Sequence, residues 1–410
     1  MTVQALVHGI GMVTMPKLVF WGSVAILFYV YVGYPLLLLV LAAFARRRRA
    51  PLLADDQLPN LSILIAAYNE EASIGRKIRE TLALDYPPNK MQVMVLSDAS
   101  TDRTDSIVQS FTDPRLQLLR MRKRGGKTQA QNEGVTACTG DIVVFSDATT
   151  VYHPLALRYL ASNYQDPAVG AVSGRYLYFD ADGKSPTGSG TIAFWNYENL
   201  IKTLQSRIKT ITGCCGCIYS IRRAVYTPLP DNIISDLVQP LWAIKKGYRV
   251  VFEDRALAYE ETTTSTAEEF SMRVRIVSRA ILGILSVADL LNPFKHGWVA
   301  FQLLSHKVLR WLVPIFLMTL FLSNAVLAAR PGAYRALFCL QALFYLSALL
   351  SAWLPVRRWW KPLTIPLYFC TLNAAALMSV VELFRGRHYV VWETVRQSPN
   401  YESTKGLAST

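Results

Sequence analysis

Four polar groups punctuate apolar runs between residues 61 and 151. LSILIAAYNEE ends its apolar stretch in Tyr68-Asn69-Glu70, MQVMVLSDASTDRT in Asp98, and GDIVVFSDATTV in Asp147. Between the last two, RGGKTQAQNEG sets Lys127 directly behind Gly125 and Gly126. An aromatic face and an acceptor at 68–70 can stack on and hydrogen-bond a base. A carboxylate at Asp98 can accept from a ribose hydroxyl or a base N–H. A glycine pair lets backbone approach phosphates while the Lys127 ammonium supplies charge. Asp147 stands where a divalent ion bridging a diphosphate would sit. Each alone is ordinary turn chemistry; their joint order points to nucleotide-dependent chemistry.

The elements that must hold these groups follow from the pattern. LSILIAA, MQVMVLS, LQLLRM and DIVVFSD are strands by their β-branched and apolar content. Helices lie between them, over Glu71–Leu84, where Tyr86-Pro87-Pro88 stops the run, and over Thr104–Phe111 and Lys127–Ala137. This alternation predicts an α/β fold with a mostly parallel sheet and helices on both faces, which binds ligands at the carboxyl edge of its strands. DADGKSPTGSGT at 180–191 reads as a polar loop. Phe194–Lys209 reads as a helix with Trp195, Tyr197 and Leu200 at packing positions. Glu268–Leu291 reads as an amphipathic helix with Arg273, Arg275 and Arg279 on its polar side, either a surface helix of the domain or one lying in a membrane plane.

Beyond that domain the chain turns apolar. It is 52% hydrophobic with a formal net charge of +14. Leu18–Ala45 has no charged residue and is followed at once by Arg46-Arg47-Arg48-Arg49. That is a transmembrane helix with a cytoplasmic flank, and the order of charge and apolar run is wrong for a cleaved signal peptide. Further spans are expected near Trp311–Ala329, Tyr334–Leu354 and Leu363–Phe384. Three spans after a cytoplasmic domain put the tail outside, yet RGRHYVVWETVRQ is basic, as is RRWWK at 357–361; the parity stays open. The expected organisation is a span and basic flank over 1–49, an α/β domain over 55–265, an interface helix over 266–296, and a membrane region and tail over 297–410. The basic excess belongs to membrane flanks, so no nucleic-acid partner is expected. The six cysteines have neither disulfide-framework nor zinc spacing, and Cys214-Cys215-Gly216-Cys217 reads as small buried thiols.

The chain resembles the membrane-bound family 2 glycosyltransferases of the GT-A fold, the group of cellulose, hyaluronan and exopolysaccharide synthases. The resemblance is carried by AAYNEE (66–71), SDASTDRT (97–104), GGKTQAQNEG (125–134) and FSDATT (145–150), then by DPAVGAVSG (166–174), GCIYSIRR (216–223) and ISD (234–236). It implies inverting transfer from a nucleotide-diphosphate sugar, usually a UDP-sugar, to a hydroxyl of a lipid-linked or polymeric glycan at the inner membrane. Membrane lipids and other synthase subunits are implied partners. Tyr68, Glu70 and Asp98 would then hold the nucleoside, Lys127 the diphosphate, and Asp147 a Mg2+ or Mn2+ ion. Asp236 would be the general base; on its residues alone, it also fits a helix N-cap before LVQPLWAI. Two departures stand out. The metal motif reads Asp147-Ala148-Thr149, so a hydroxyl replaces its second carboxylate. Of the Gln-x-x-Arg-Trp motif of processive synthases only Arg275 survives, a candidate diphosphate contact. Trp195 and Glu198 are candidates for the acceptor side. The missing carboxylate also motivates a second reading, a catalytically silent scaffold subunit of a synthase complex.

Overall fold

A computed structural model of the protein describes residues 3–46, 49–179, 188–262, 265–329, 331–353, 364–387 and 389–391, the first eleven of these as backbone only. The chain opens with α1 (Val3–Phe28), which passes through a π-helical turn at Tyr29–Gly33 into α2 (Tyr34–Phe44). The sheet domain follows: β1 (Leu61–Ala67), α3 (Ile74–Leu82), β2 (Met91–Ser97), α4 (Thr104–Gln109), β3 (Leu116–Arg120), α5 (Lys127–Ala137) and β4 (Ile142–Asp147). Next come β5 (Val151–Tyr152), α6 (Ala156–Ser162), β6 (Val169–Phe179), α7 (Gly188–Ile208), β7 (Ile218–Arg222), α8 (Ser235–Lys245) and β8 (Arg249–Glu261). The eight strands form one sheet in the order β3-β2-β1-β4-β7-β6-β8-β5. β3, β2, β1 and β4 are parallel, β7 is antiparallel to both its neighbours, and β6 and β8 run parallel to each other.

β1 shows why this sheet is covered twice. All seven of its residues are buried, as a parallel strand under helices on both faces requires. Ile63 and Ile65 join the core beneath Ile74 and Ile78 of α3. Leu64 points the other way, to Ala130 and Val135 of α5. The four expected strands and their parallel pairing are present; the antiparallel β7 and the short β5 were not legible as separate signals.

After the sheet domain the chain is helical, with α9 (Thr266–Ser286), α10 (Pro293–His296), α11 (Trp298–Leu303), α12 (Leu309–Leu327), α13 (Ala333–Trp353) and α14 (Thr364–Phe384). Among the described residues four helices are long and apolar enough to cross a membrane: Thr14–Phe44, Trp298–Leu327, Ala333–Trp353 and Ile365–Phe384. The second starts well before the expected Trp311, because Ser305, His306 and Lys307, which break the apolar pattern, sit on a π-helical turn (Leu304–Val308) that faces protein. The first span is tied to the sheet domain through Arg49, whose guanidinium meets the Asp254 carboxylate at 2.9 Å.

Two expectations are corrected here. Gly188–Thr191, read as loop, is the first turn of α7. Tertiary packing overrides its poor helix propensity, since Gly190 presses so closely on Tyr368 of α14 that no Cβ would fit. The remainder of that loop lies outside the described residues, as do RRWWK and most of the tail. The arginine side of α9 is not a solvated face. Arg273 and Arg279 are buried, Arg273 against Glu269 and Tyr368 and Arg279 against the segment that leads into α8.

Candidate active site

The carboxyl edge of the parallel strands is built on two left-handed residues, Asn69 at φ 53° after β1 and Ala99 at φ 57° after β2. The Asn69 side chain locks the two loops together by accepting from the Thr101 N–H at 2.8 Å, the local use that makes asparagine tolerable in this conformation. Tyr68 lies with its ring 3.7 Å from the Arg124 guanidinium. Glu70 is buried; its backbone N–H donates to Thr104 Oγ1 at 2.8 Å and its carboxylate accepts from Ser73 Oγ.

Asp98 has a different position from the one expected of it. It is fully buried, and its two oxygens accept from the N–H groups of Gly125 and Gly126 at 2.8 and 2.9 Å. Asp98 therefore holds the glycine loop in shape instead of facing a ribose. Gly126 sits at φ 85°, and a Cβ there would collide with the carbonyl of Val390, from the segment after α14. The loop is thus clamped by Asp98 within the sheet domain and covered by the tail.

From this loop α5 launches Lys127 toward the end of β4. Its ammonium binds the Asp147 carboxylate and donates to the Gly216 carbonyl at 3.2 Å. Burial opposes the charged lysine, but Asp147 and then Asp236 outweigh it and hold its pKa above the ordinary value. Thr149 does not turn toward Asp147; its hydroxyl donates to Oε1 of the buried Glu260 on β8 at 2.6 Å. Glu260 has no sequence motif to announce it.

Asp236 occupies the first turn of α8 but caps nothing: the cap residue is Ile234, without a side-chain bond. Its Oδ1 is buried with no hydrogen-bond partner among the described residues. Its Oδ2 lies over Gly216, where a Cβ would stand 2.6 Å away. The glycine of the Cys-Cys-Gly-Cys run therefore leaves room for this carboxylate. Burial pushes the Asp236 carboxyl upward, Lys127 and Lys202 pull it back, and the net result is raised. Arg279 supports the approach to α8, donating to Thr128 Oγ1 and the Ile233 carbonyl at 2.8 Å each and to the Asp231 carbonyl at 2.9 Å. Burial and Arg275 push its guanidinium down to about 10.

α7 adds one wall. Trp195, Glu198, Lys202 and Gln205 repeat at three- and four-residue spacing and so share a face. Trp195 packs on Tyr176 and Tyr178 with ring centroids 5.0 and 5.7 Å away, and its indole N–H is buried without a partner. Glu198 is buried, ion-paired with Arg310 and hydrogen-bonded to His306 at 3.2 Å. Burial opposes its charge, but Arg310, His306 and Lys307 hold its carboxyl well below the ordinary range. Lys202 donates to Cys215 Sγ at 3.0 Å. Cys214, Cys215 and Cys217 are buried and form no disulfide among the described residues, as expected of packing thiols.

One cavity of about 580 Å³ joins these groups. Glu70, Lys127, Asp147 and Thr149 line its sheet edge, Asp236 and Arg275 its flank, and Trp195 and Glu198 its far wall. Tyr68 and Asp98 stand behind that lining. Lys202 and Arg279, which also line it, were missed as site residues; the spacing along α7 was the available signal for the lysine. For a divalent ion, Asp147 offers a carboxylate that faces the cavity, while no group of three or more His, Cys, Asp or Glu among the described residues could hold an ion unaided. That set fits an ion that takes most of its ligands from substrate phosphates, as Mg2+ commonly does.

The sheet domain is similar to known proteins. Residues 62–228 match the family model described as Glycosyl transferase family 2. The N-acetylglucosaminyltransferase of Mesorhizobium japonicum is 26% identical over 221 residues, covering 50% of this chain and 52% of that one. The poly-beta-1,6-N-acetyl-D-glucosamine synthase of Staphylococcus aureus is 25% identical over 229 residues, covering 54% of each. The chain thus spans about half the length of the curated relatives it matches. The mannosyltransferase PcManGT of Pyrobaculum calidifontis, solved with GDP-Man and Mn2+, superposes with a TM-score of 0.68 at 21% identity, over 90% of this chain and 99% of that one. The fold is GT-A.

Proposed function

We propose that this chain, whose residues 62–228 match the family model described as Glycosyl transferase family 2, moves a sugar, with inversion, from a nucleotide-diphosphate donor to a hydroxyl of a membrane-associated glycan or lipid-linked acceptor. The single observation that carries the reading is the pairing of Lys127 and Asp236 in one cavity, a fixed cation at the glycine loop and a carboxylate with an unsatisfied oxygen. Asp236 takes the acceptor proton as the acceptor oxygen bonds to the anomeric carbon and the bond from that carbon to the diphosphate oxygen breaks. Lys127 receives the charge that develops on the diphosphate, so no separate acid is required. A divalent ion carried with the donor would be held by Asp147 and would add to that neutralisation. Arg275 lines the same cavity and supports the diphosphate.

Trp195, with Tyr176 and Tyr178, forms an aromatic wall suited to a pyranose face, and its free indole N–H suits a sugar hydroxyl. Glu198 does not bind acceptor directly in this reading, because Arg310 and His306 already occupy it. The role is structural, joining α7 to the membrane helices. The arginine block after the first span supports a cytoplasmic sheet domain at the plasma membrane, and the relatives support polysaccharide assembly as the setting.

The test is nucleotide release by the purified chain with a panel of UDP- and GDP-sugars, with and without Mn2+ or Mg2+. Asp236→Asn should lower turnover by roughly 10²–10⁴-fold while donor binding persists. A chain that releases nucleotide from no donor, with Asp236→Asn indistinguishable from wild type in cells, is a scaffold and the proposal is lost.

A further inference from the structure

The membrane side of the cavity is formed where two membrane-spanning helices are each interrupted by a π-helical turn, Tyr29–Gly33 in the first and Leu304–Val308 in the second. The two turns touch through Tyr29 Oη and Ser305 Oγ at 2.7 Å. A π turn inserts a residue and re-aims the side chains around it, and such turns gather at functional sites. Here the second turn directs His306 and Lys307 inward, with Arg310 one turn later, all three lining the cavity.

Their partners are unequal. His306 is bonded at both ring nitrogens, to Glu198 at 3.2 Å and to Gln205 at 3.3 Å. Arg310 is bonded to the same Glu198 oxygen. Lys307 has no hydrogen-bond partner among the described residues; its nearest acceptor is Glu198 Oε2 at 4.0 Å. One carboxylate thus faces both Lys307 and Arg310, and the Lys307 ammonium, held only at ion-pair distance, lines a cavity with a largely apolar wall, where a weakly partnered charge is costly.

The position of Lys307 matters as much as its charge. A Cβ on Gly213 would stand 3.2 Å from Leu237 Cδ1 and 4.0 Å from Lys307 Cε. Both the lysine stem and the residue that follows Asp236 thus border Gly213, and the Lys307 charge interacts with Asp236 itself. Beyond it the wall turns apolar, with Trp311 from α12 and Ile365, Phe369, Leu372 and Ala376 from α14.

We infer that Lys307 seats the anionic head group of an amphiphilic acceptor, a lipid carrying a phosphate, whose chain lies along α12 and α14 while its accepting hydroxyl reaches Asp236. This rests on the reading of the cavity as a glycosyl-transfer site and names the acceptor class. The carboxylates of Glu198 and Asp236 repel an anion, and Lys202, Lys307 and Arg310, which line the same part of the cavity, outnumber them and set the net preference.

The test uses the full-length chain in phosphatidylcholine nanodiscs, without donor, and native mass spectrometry of bound adducts. The probes are dodecyl phosphate, dodecyl glucoside and inorganic phosphate. Dodecyl phosphate should exceed dodecyl glucoside by about tenfold in occupancy, the scale of one charge-assisted contact. Lys307→Gln should remove most of that preference and Lys307→Arg should keep it. Equal occupancy by the two amphiphiles on the wild-type chain overturns the inference without recourse to any variant. So does a folded Lys307→Gln chain, with an unchanged melting temperature, that still prefers the phosphate. Inorganic phosphate binding as well as dodecyl phosphate also overturns it, because the anion site then has no lipid component. Since no donor is present, a chain inactive in sugar transfer can still give the expected result, and one that transfers only to neutral acceptors fails it.

Discussion

Asp236 and Gly216 form one device at the scale of single residues. A carboxylate whose pKa is raised by burial loses its ionised form at a higher pH than an exposed aspartate does. If it is the base, kcat/KM should fall with unit slope as pH drops through that raised value, so the acid limb should lie above the ordinary carboxylate range. The limb should vanish in Asp236→Asn; one that survives there belongs to another group. Gly216→Ala tests the geometry separately. The glycine's φ lies outside the left-handed region, but its new Cβ would meet Asp236 Oδ2 at 2.6 Å. The carboxylate must shift, and a displacement of that order should lower kcat by up to about 10²-fold with the fold intact; an unchanged kcat would separate Asp236 from the chemistry. Lys127 and Asp147 were legible because strand-end polarity and motif order are written locally, whereas Asp236 was singled out only by the family resemblance. Lys202, Arg279 and Glu260 were not legible, because each matters only through a partner more than ten residues away: Cys215, the 231–233 segment and Thr149.

The glycine loop is where elements act as units. β2 ends in Asp98, α5 begins at Lys127, and the two oxygens of the aspartate fix the two glycines between them. Asp98→Asn replaces one acceptor with an NH2 group facing a backbone N–H, forfeiting a charge-assisted bond worth about 1.5–3 kcal/mol. The donor KM should rise by about tenfold or more while kcat with saturating donor changes little; an unchanged KM would mean that the loop does not cradle the donor. The sequence pattern made the elements on either side of this loop clear, since apolar strands buried on both faces read as continuous runs. It did not distinguish a carboxylate that binds ligand from one that shapes the loop that binds it, because both stand at the same strand end. The antiparallel β7 was missed for a related reason: strand direction is set by how the chain returns, which in this domain passes through α7 and the Cys-Cys-Gly-Cys turn.

At the scale of the whole molecule, the parity left open by the charge pattern has a physical answer. Val390, after α14, lies against Gly126 in the glycine loop, which puts residues 389–391 against the sheet domain. We therefore propose an even number of crossings after the domain, although α14 is itself long and apolar enough to span. α14 differs from the other apolar helices: 44% of its apolar window is buried in protein, against 6% for α13. It packs on α9 through Ser379, which donates to the Val274 carbonyl at 3.1 Å, and through Tyr368, which accepts from Arg273 at 2.9 Å. In that proposal α11–α12 cross outward and α13 returns, with α14 laid against the domain at the membrane boundary, a helix apolar enough to span yet held by polar contacts to α9. Glu382, buried near its end, then anchors the tail by accepting from Arg385 at 3.4 Å and from Tyr389 at 3.3 Å. Single cysteines introduced at Lys123, Gly332 and Val391, in a background with Cys339→Ser, can be probed with an impermeant maleimide on sealed vesicles of known orientation. Lys123→Cys and Val391→Cys should label from one side and Gly332→Cys from the other. Labelling of Val391→Cys together with Gly332→Cys would put the tail across the membrane and remove both the strap over the glycine loop and the two-crossing arrangement.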